Sequence, residues 1–88
     1  MRKVTHSYGG QFGSDVGQLS VPRHLAVDKD SQFIFVADGF NHRLVLLTPT
    51  LEFVRYIHVG MSLPKRLYLR QAARRLFIQG VEITVIQL

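Results

Sequence analysis

The 88-residue chain is predicted to be all-β, and three observations carry that expectation. Its apolar residues fall in short runs rich in β-branched and aromatic side chains, separated by Gly, Pro, Asn and Asp. One phrase occurs twice: Ser20-Val21-Pro22-Arg23-His24-Leu25-Ala26-Val27 and Ser62-Leu63-Pro64-Lys65-Arg66-Leu67-Tyr68-Leu69 stand 42 residues apart, and Phe33-Ile34-Phe35-Val36 matches Arg75-Leu76-Phe77-Ile78 at the same spacing. The only cluster of helix formers, Ala72-Ala73-Arg74-Arg75, is uncapped and too short to nucleate a helix. A period of roughly 40–50 residues built from short strands is the signature of a four-stranded propeller blade. The chain therefore reads as a partial β-propeller of about two antiparallel blades.

The elements follow in order. Val4-Thr5-His6-Ser7-Tyr8 corresponds to Phe53-Val54-Arg55-Tyr56-Ile57 and reads as the outer strand of a preceding blade, so residues 1–12 are that strand and a connection. Residues 13–60 form a full unit. Within it Leu25-Ala26-Val27-Asp28 is a short strand ending in the turn Asp28-Lys29-Asp30-Ser31. Phe33 to Ala37 is continuously apolar, as a strand covered on both faces should be. Asp38 to His42 is a loop with Gly39 and Asn41 available for positive φ. Arg43 to Leu47 is the next strand, and Thr48-Pro49-Thr50 a turn. Glu52 to Val59 alternates polar and apolar, the pattern of an outer strand with one wet face. Residues 61–88 form a second, degenerate and incomplete unit: strands at Leu67–Leu69, Leu76–Ile78 and Ile83–Leu88, with no fourth. The aromatic residues on these strands read as core between blades. Two incomplete blades leave a flank of each and their edge strands uncovered, so the isolated chain is not expected to be a stable monomer.

Eleven Lys and Arg against six Asp and Glu give a net charge of +5, which suits an anionic partner. There is no Cys, so disulfides, thiolate metal sites and cysteine nucleophiles are excluded. No apolar run approaches the ~20 residues of a membrane helix, and no membrane partner is expected. The first residues have charges but no apolar stretch behind them, unlike a signal peptide.

Four pieces of the first unit together resemble an NHL repeat: Gly17-Gln18-Leu19-Ser20-Val21-Pro22, Leu25-Ala26-Val27-Asp28, Ile34-Phe35-Val36-Ala37-Asp38 and Asn41-His42-Arg43-Leu44. The resemblance covers about half the chain well and the second unit weakly. It implies a fragment of a larger, commonly six-bladed ring used as a recognition platform, with the missing blades as partners. Members include tripartite-motif ubiquitin ligases, whose propellers select protein or RNA partners in the cytoplasm, as well as secreted animal proteins. A few relatives are metal-dependent lyases. His24 stands where the family usually has Gly, and the second unit lacks the Ala-Asp and Asn-His-Arg elements.

Three groups of residues could carry function. Asp38 and Asn41 read as structural loop residues, Asp38 holding the segment Gly39 to His42 and Asn41 taking its tight bend. The four His, at 6, 24, 42 and 58, show no close-spaced ligand pair, so no metal is expected. No catalytic constellation and no cofactor is expected either. The basic pairs are the best candidate: Arg23-His24 and Lys65-Arg66 precede equivalent strands, and His42-Arg43 enters the third strand from the same face. With Phe40 beside them they form an expected rim for a protein partner, or for single-stranded RNA stacked on Phe40. Arg70, Arg74 and Arg75 belong to the opposite edge, because successive loops of a meander alternate between edges.

Overall fold

A computed structural model describes residues 2–60 and 62–88; Met1 and Met61, which fall inside the expected segments 1–12 and 61–88, lie outside the described residues. Two short strands, β1 (Gln11–Phe12) and β2 (Gln18–Leu19), pair in parallel. They are followed by β3 (Pro22–Val27), β4 (Ile34–Asp38), β5 (Arg43–Leu47) and β6 (Phe53–Ile57), a four-stranded antiparallel sheet in sequence order. The second sheet holds β7 (Arg66–Arg70), β8 (Arg75–Gln79) and β9 (Ile83–Gln87), again an antiparallel meander. The described residues contain no α-helix; Gly39–Asn41 forms a single 3-10 turn between β4 and β5.

The register of the second sheet copies the first. Leu25 pairs with Val36 and Ala26 with Phe35; 42 residues on, Leu67 pairs with Ile78 and Tyr68 with Phe77. The hairpin turns after β3, β5 and β7 each contain a non-glycine residue in the left-handed region, Gln32 (φ 67°), Leu51 (φ 64°) and Arg74 (φ 53°). Each of these donates its amide back into the turn, to Asp28, Thr48 and Gln71 respectively.

The core lies between the sheets. Phe35 and Ala37 on β4, and Leu44 and Leu46 on β5, cluster with Leu67 on β7 and Leu76 and Ile78 on β8. The other face of the first sheet buries Val36, Val45 and Leu47 under Tyr8, Leu19, Leu51, Phe53 and Tyr56. β4 and β5 are thus covered on both sides, which is why Ile34 to Ala37 and Leu44 to Leu47 are continuously apolar. Burying Leu44 completely contributes roughly 1.5–3 kcal/mol. The second sheet is covered on one face only: Leu67, Leu76 and Ile78 are buried, while Tyr68, Ile83 and Val85 point outward and are exposed.

Residues Val4–Tyr8 do not form the expected outer strand. Its correspondence in sequence to Phe53–Ile57 supplies propensity at most, but a strand exists only against a partner edge, and this segment pairs with none among the described residues. Tyr8 instead packs on the first sheet, and its hydroxyl accepts the amide of Gly17.

Candidate functional site

The two sheets meet along β3 and β7, and the edge where those strands begin gathers most of the expected rim. Pro22, at the start of β3, pairs with Asp38, at the end of β4; Arg66, at the start of β7, pairs with Gln79, at the end of β8. The 3-10 turn Gly39–Asn41 closes over this edge, its amides at Gly39 and Phe40 donating to the carbonyls of Val21 and Ser20. Gly39 is required by close approach: a Cβ there would sit 2.9 Å from Cγ of Arg23 and 3.0 Å from the carbonyl oxygen of Val21. That approach forms a cleft of about 160 Å³ lined by Arg23, Gly39, Phe40, Leu63, Pro64 and Lys65. Phe40 is 54 % exposed at its mouth. Among the described residues, no carboxylate lies within ion-pair distance of Arg23, Lys65 or Arg66.

Beneath the cleft lies a buried polar hub. Asp38 is fully buried and accepts the Ser20 amide at 2.7 Å, the Asn41 side-chain amide at 2.8 Å and Nε of Arg43 at 3.0 Å. Arg43 also donates to the carbonyl of Ser14 at 2.8 Å, and its guanidinium lies 3.8 Å from the Tyr56 ring centre. Asn41 reaches the carbonyl of Gly13 at 2.8 Å. Together these side chains tie the connection 13–20 to the first sheet. A buried charge is tolerated only when paired and hydrogen-bonded, and here both charges are.

Three expectations need correction. Arg43 does not belong to the rim: it is 5 % exposed, with its guanidinium directed to Asp38 and backbone carbonyls, so it is not presented to a partner. The left-handed residue of the loop is His42 (φ 53°), not Gly39 or Asn41. Asp38 secures the loop through the side chain of Asn41, and its backbone bond goes instead to Ser20, because its carboxylate points across the sheet.

One rim histidine, His24, bridges the sheets, and the other, His42, ties the 3-10 turn to the connection entering β7. Nδ1 of His24 accepts the Leu67 amide at 3.0 Å, and Nδ1 of His42 accepts the Leu63 amide at 3.1 Å. The imidazole at position 24, where a glycine would have no acceptor to offer, therefore supplies a cross-sheet hydrogen bond. Arg66 stands apart from the main cleft, lining a shallower hollow with His24, Tyr68, Phe77, Gln79 and Ile83.

The opposite edge carries a feature that local sequence reading misses. Asp28, buried at the end of β3, accepts both terminal nitrogens of Arg74 at 2.8 Å, together with the Gln71 side chain, the Asp30 amide and the Ser31 hydroxyl. Gln71 in turn accepts the Lys29 amide at 3.1 Å. The Arg74 guanidinium holds the Asp28 carboxyl well below its ordinary value of 3.8, against the opposing effect of burial and with help from the other donors. The signal in the sequence was the exchange of acidic residues in the first turn for Gln71 and Arg74 in the second. Among the described residues no three His, Asp or Glu side chains come together as a metal site would require.

No protein-family model matches this chain, and no curated protein matches its sequence.

Proposed function

We propose that this chain is a non-enzymatic recognition module, part of a β-propeller of the NHL type, which takes a protein partner at the edge formed by Arg23, Phe40 and Lys65. Two meander sheets in matching register, adjoining along their first strands, support the propeller reading. The observation that carries the partner is the cleft itself. Two cations with no carboxylate in ion-pair distance among the described residues flank a half-exposed aromatic ring beside the apolar lining of Leu63 and Pro64. Its volume is well under the roughly 300–1,000 Å³ of small-molecule pockets, so it suits one side chain of a larger partner. A partner loop presenting Asp or Glu next to an apolar residue would satisfy both the charge and the floor. In a ubiquitin-ligase-type protein such an edge would select the substrate.

The exposure of Phe40 between cations favours a second reading, single-stranded RNA with a base stacked on the ring. Fluorescence anisotropy with acidic–apolar peptides and with short oligoribonucleotides separates the two. The protein reading expects peptide binding that Arg23→Glu combined with Lys65→Glu weakens by about tenfold or more, the range of a hot-spot loss. RNA binding would fall steeply with salt, in proportion to the phosphates neutralised. Binding of neither probe, or binding indifferent to the double substitution, overturns the proposal for this edge.

A further inference from the structure

We propose that the two rim imidazoles form a proton-operated latch on one wall of the cleft: His24 and His42 hold that wall while they are neutral and release it when they take up a proton. The wall is residues 63–67, the end of the connection and the start of β7, which give Leu63, Pro64 and Lys65 to the cleft. Nδ1 of His42 accepts the Leu63 amide at 3.1 Å and Nδ1 of His24 accepts the Leu67 amide at 3.0 Å, so an imidazole fastens each end of the segment. A ring nitrogen accepts a hydrogen bond only while it carries no proton, and the proton of the neutral ring then sits on Nε2. A further proton arriving at Nδ1 turns each acceptor into a donor that faces the N–H of an amide. Both bonds are lost and each pair becomes repulsive. Both side chains are exposed, so water delivers the proton.

The segment is set to move once it is freed. Leu63 stands at φ 49°, in the left-handed region that a residue with a branched side chain occupies only under constraint. Its amide is the group that His42 holds, so release lets this backbone relax. Between the two fastenings the Lys65 amide donates to the Gln79 carbonyl at 2.8 Å, a bond that no proton affects and about which the segment turns. The surroundings give a charged ring no reason to stay. His24 shares its hollows with Arg66 and Tyr68 of β7 and with Arg23 of β3, and Asp38 at the end of the neighbouring β4 is buried and engaged by Arg43. His42 adjoins Arg43 of β5 and faces the connection that carries Lys65; the titratable group just past the end of β6, which pairs with β5, is His58. Among the described residues no carboxylate lies within ion-pair distance of either imidazole. The latch is therefore shut at the basic end of the imidazole range and open at the acidic end. It stands whether or not the cleft takes a partner.

The test is made on the whole chain without a ligand, so the latch and the peptide reading of the cleft fail separately. Ring nitrogen NMR spectra come first: near neutral pH Nδ1 of both histidines must be unprotonated, and a proton on Nδ1 of either ring overturns the proposal. Hydrogen exchange at single amides, corrected for the intrinsic rate, is then compared at about pH 7.5 and about pH 5.5, across which imidazoles change charge. Protection of Leu63 and Leu67 should fall by about fivefold or more, the scale of one lost hydrogen bond each, while Phe35 and Leu44 in the core keep theirs. The Asp28 clasp does not contribute, because its carboxyl is held below 3.8 and stays charged throughout. His24→Asn combined with His42→Asn puts an amide oxygen near the place of each Nδ1, an acceptor that does not titrate. In that variant the protection of both amides should be the same at the two pH values. Protection in the unaltered chain that does not change with pH, or an equal loss in the Asn variant, overturns the latch.

Discussion

At one edge of the sheet pair Arg74 grips Asp28 with two 2.8 Å contacts; at the other, Arg23 and Lys65 line a cleft that has no carboxylate among the described residues. Both edges are basic in sequence, and both lie at the junction of the same two strands. The difference is where the charge is used. On the Asp28 edge the cation is directed inward and holds the sheets together. On the Arg23 edge that task falls to the imidazole of His24, and Arg23 and Lys65 have no carboxylate within ion-pair distance among the described residues. A net charge of +5 does not separate the cation held by Asp28 from the cations at the cleft, which have no carboxylate within ion-pair distance among the described residues.

The contrast can be broken most severely at the hub beneath the cleft. Asp38→Ala leaves Arg43 buried without its counter-ion, and a loss of about 3–5 kcal/mol is expected, read as a lower urea midpoint. An unchanged midpoint would mean that the guanidinium reaches water and that the hub does not support the edge. The second test is at the clasp. Asp28→Asn should cost about 1–3 kcal/mol near neutral pH, as loss of a buried charged acceptor does. It should also change the acid limb of stability. The Asp28 carboxyl is depressed in the folded state, so its contribution is complete above pH 3.8 and is lost as pH falls from there toward the folded-state value. The variant should lack that part of the acid dependence; identical acid limbs would remove Asp28 from the account. The smallest expected effect on stability is at the open edge. Arg23→Glu with Lys65→Glu should shift stability by no more than about 0.5 kcal/mol, as surface changes without partners do. A larger loss would show that these cations hold the fold and are not reserved for a partner.

β4 and β5 were legible because a strand covered on both faces writes a continuous apolar run, and Phe33 to Ala37 and Leu44 to Leu47 do so. The alternation of Phe53 to Ile57 likewise marks a strand with one wet face. The correspondence of Val4–Tyr8 to Phe53–Ile57 misleads, because a match of residue types says nothing of whether an edge is there to pair with. Arg43 was misplaced for a related reason. A cation next to a loop reads as exposed unless its counter-ion is recognised, and Asp38, five residues earlier, reads locally as holding the loop Gly39 to His42. The Asp28–Arg74 clasp spans 46 residues and depends on how two sheets are set against each other, which no local pattern encodes. The cleft was partly legible: Arg23, Phe40 and Lys65 follow from strand order, while Gly39 and Pro64, which shape it, become significant only when the sheets meet.

The cross-sheet bonds of His24 and Asp28 fall near opposite ends of the same strand, β3. A joint fastened at one point is a pivot, but fastened at two points along an axis it becomes a hinge with a fixed line of rotation. The sheets are bolted along β3 and β7, whereas toward β6 and β9 their contact is made by unbolted apolar side chains such as Ile57 and Ile86. Thermal motion of the pair therefore takes the form of a book opening at its fore-edge while its spine stays shut. Amides along β7 should exchange with solvent more slowly than those of β9, and the cleft at the spine should keep its shape while the outer strands breathe.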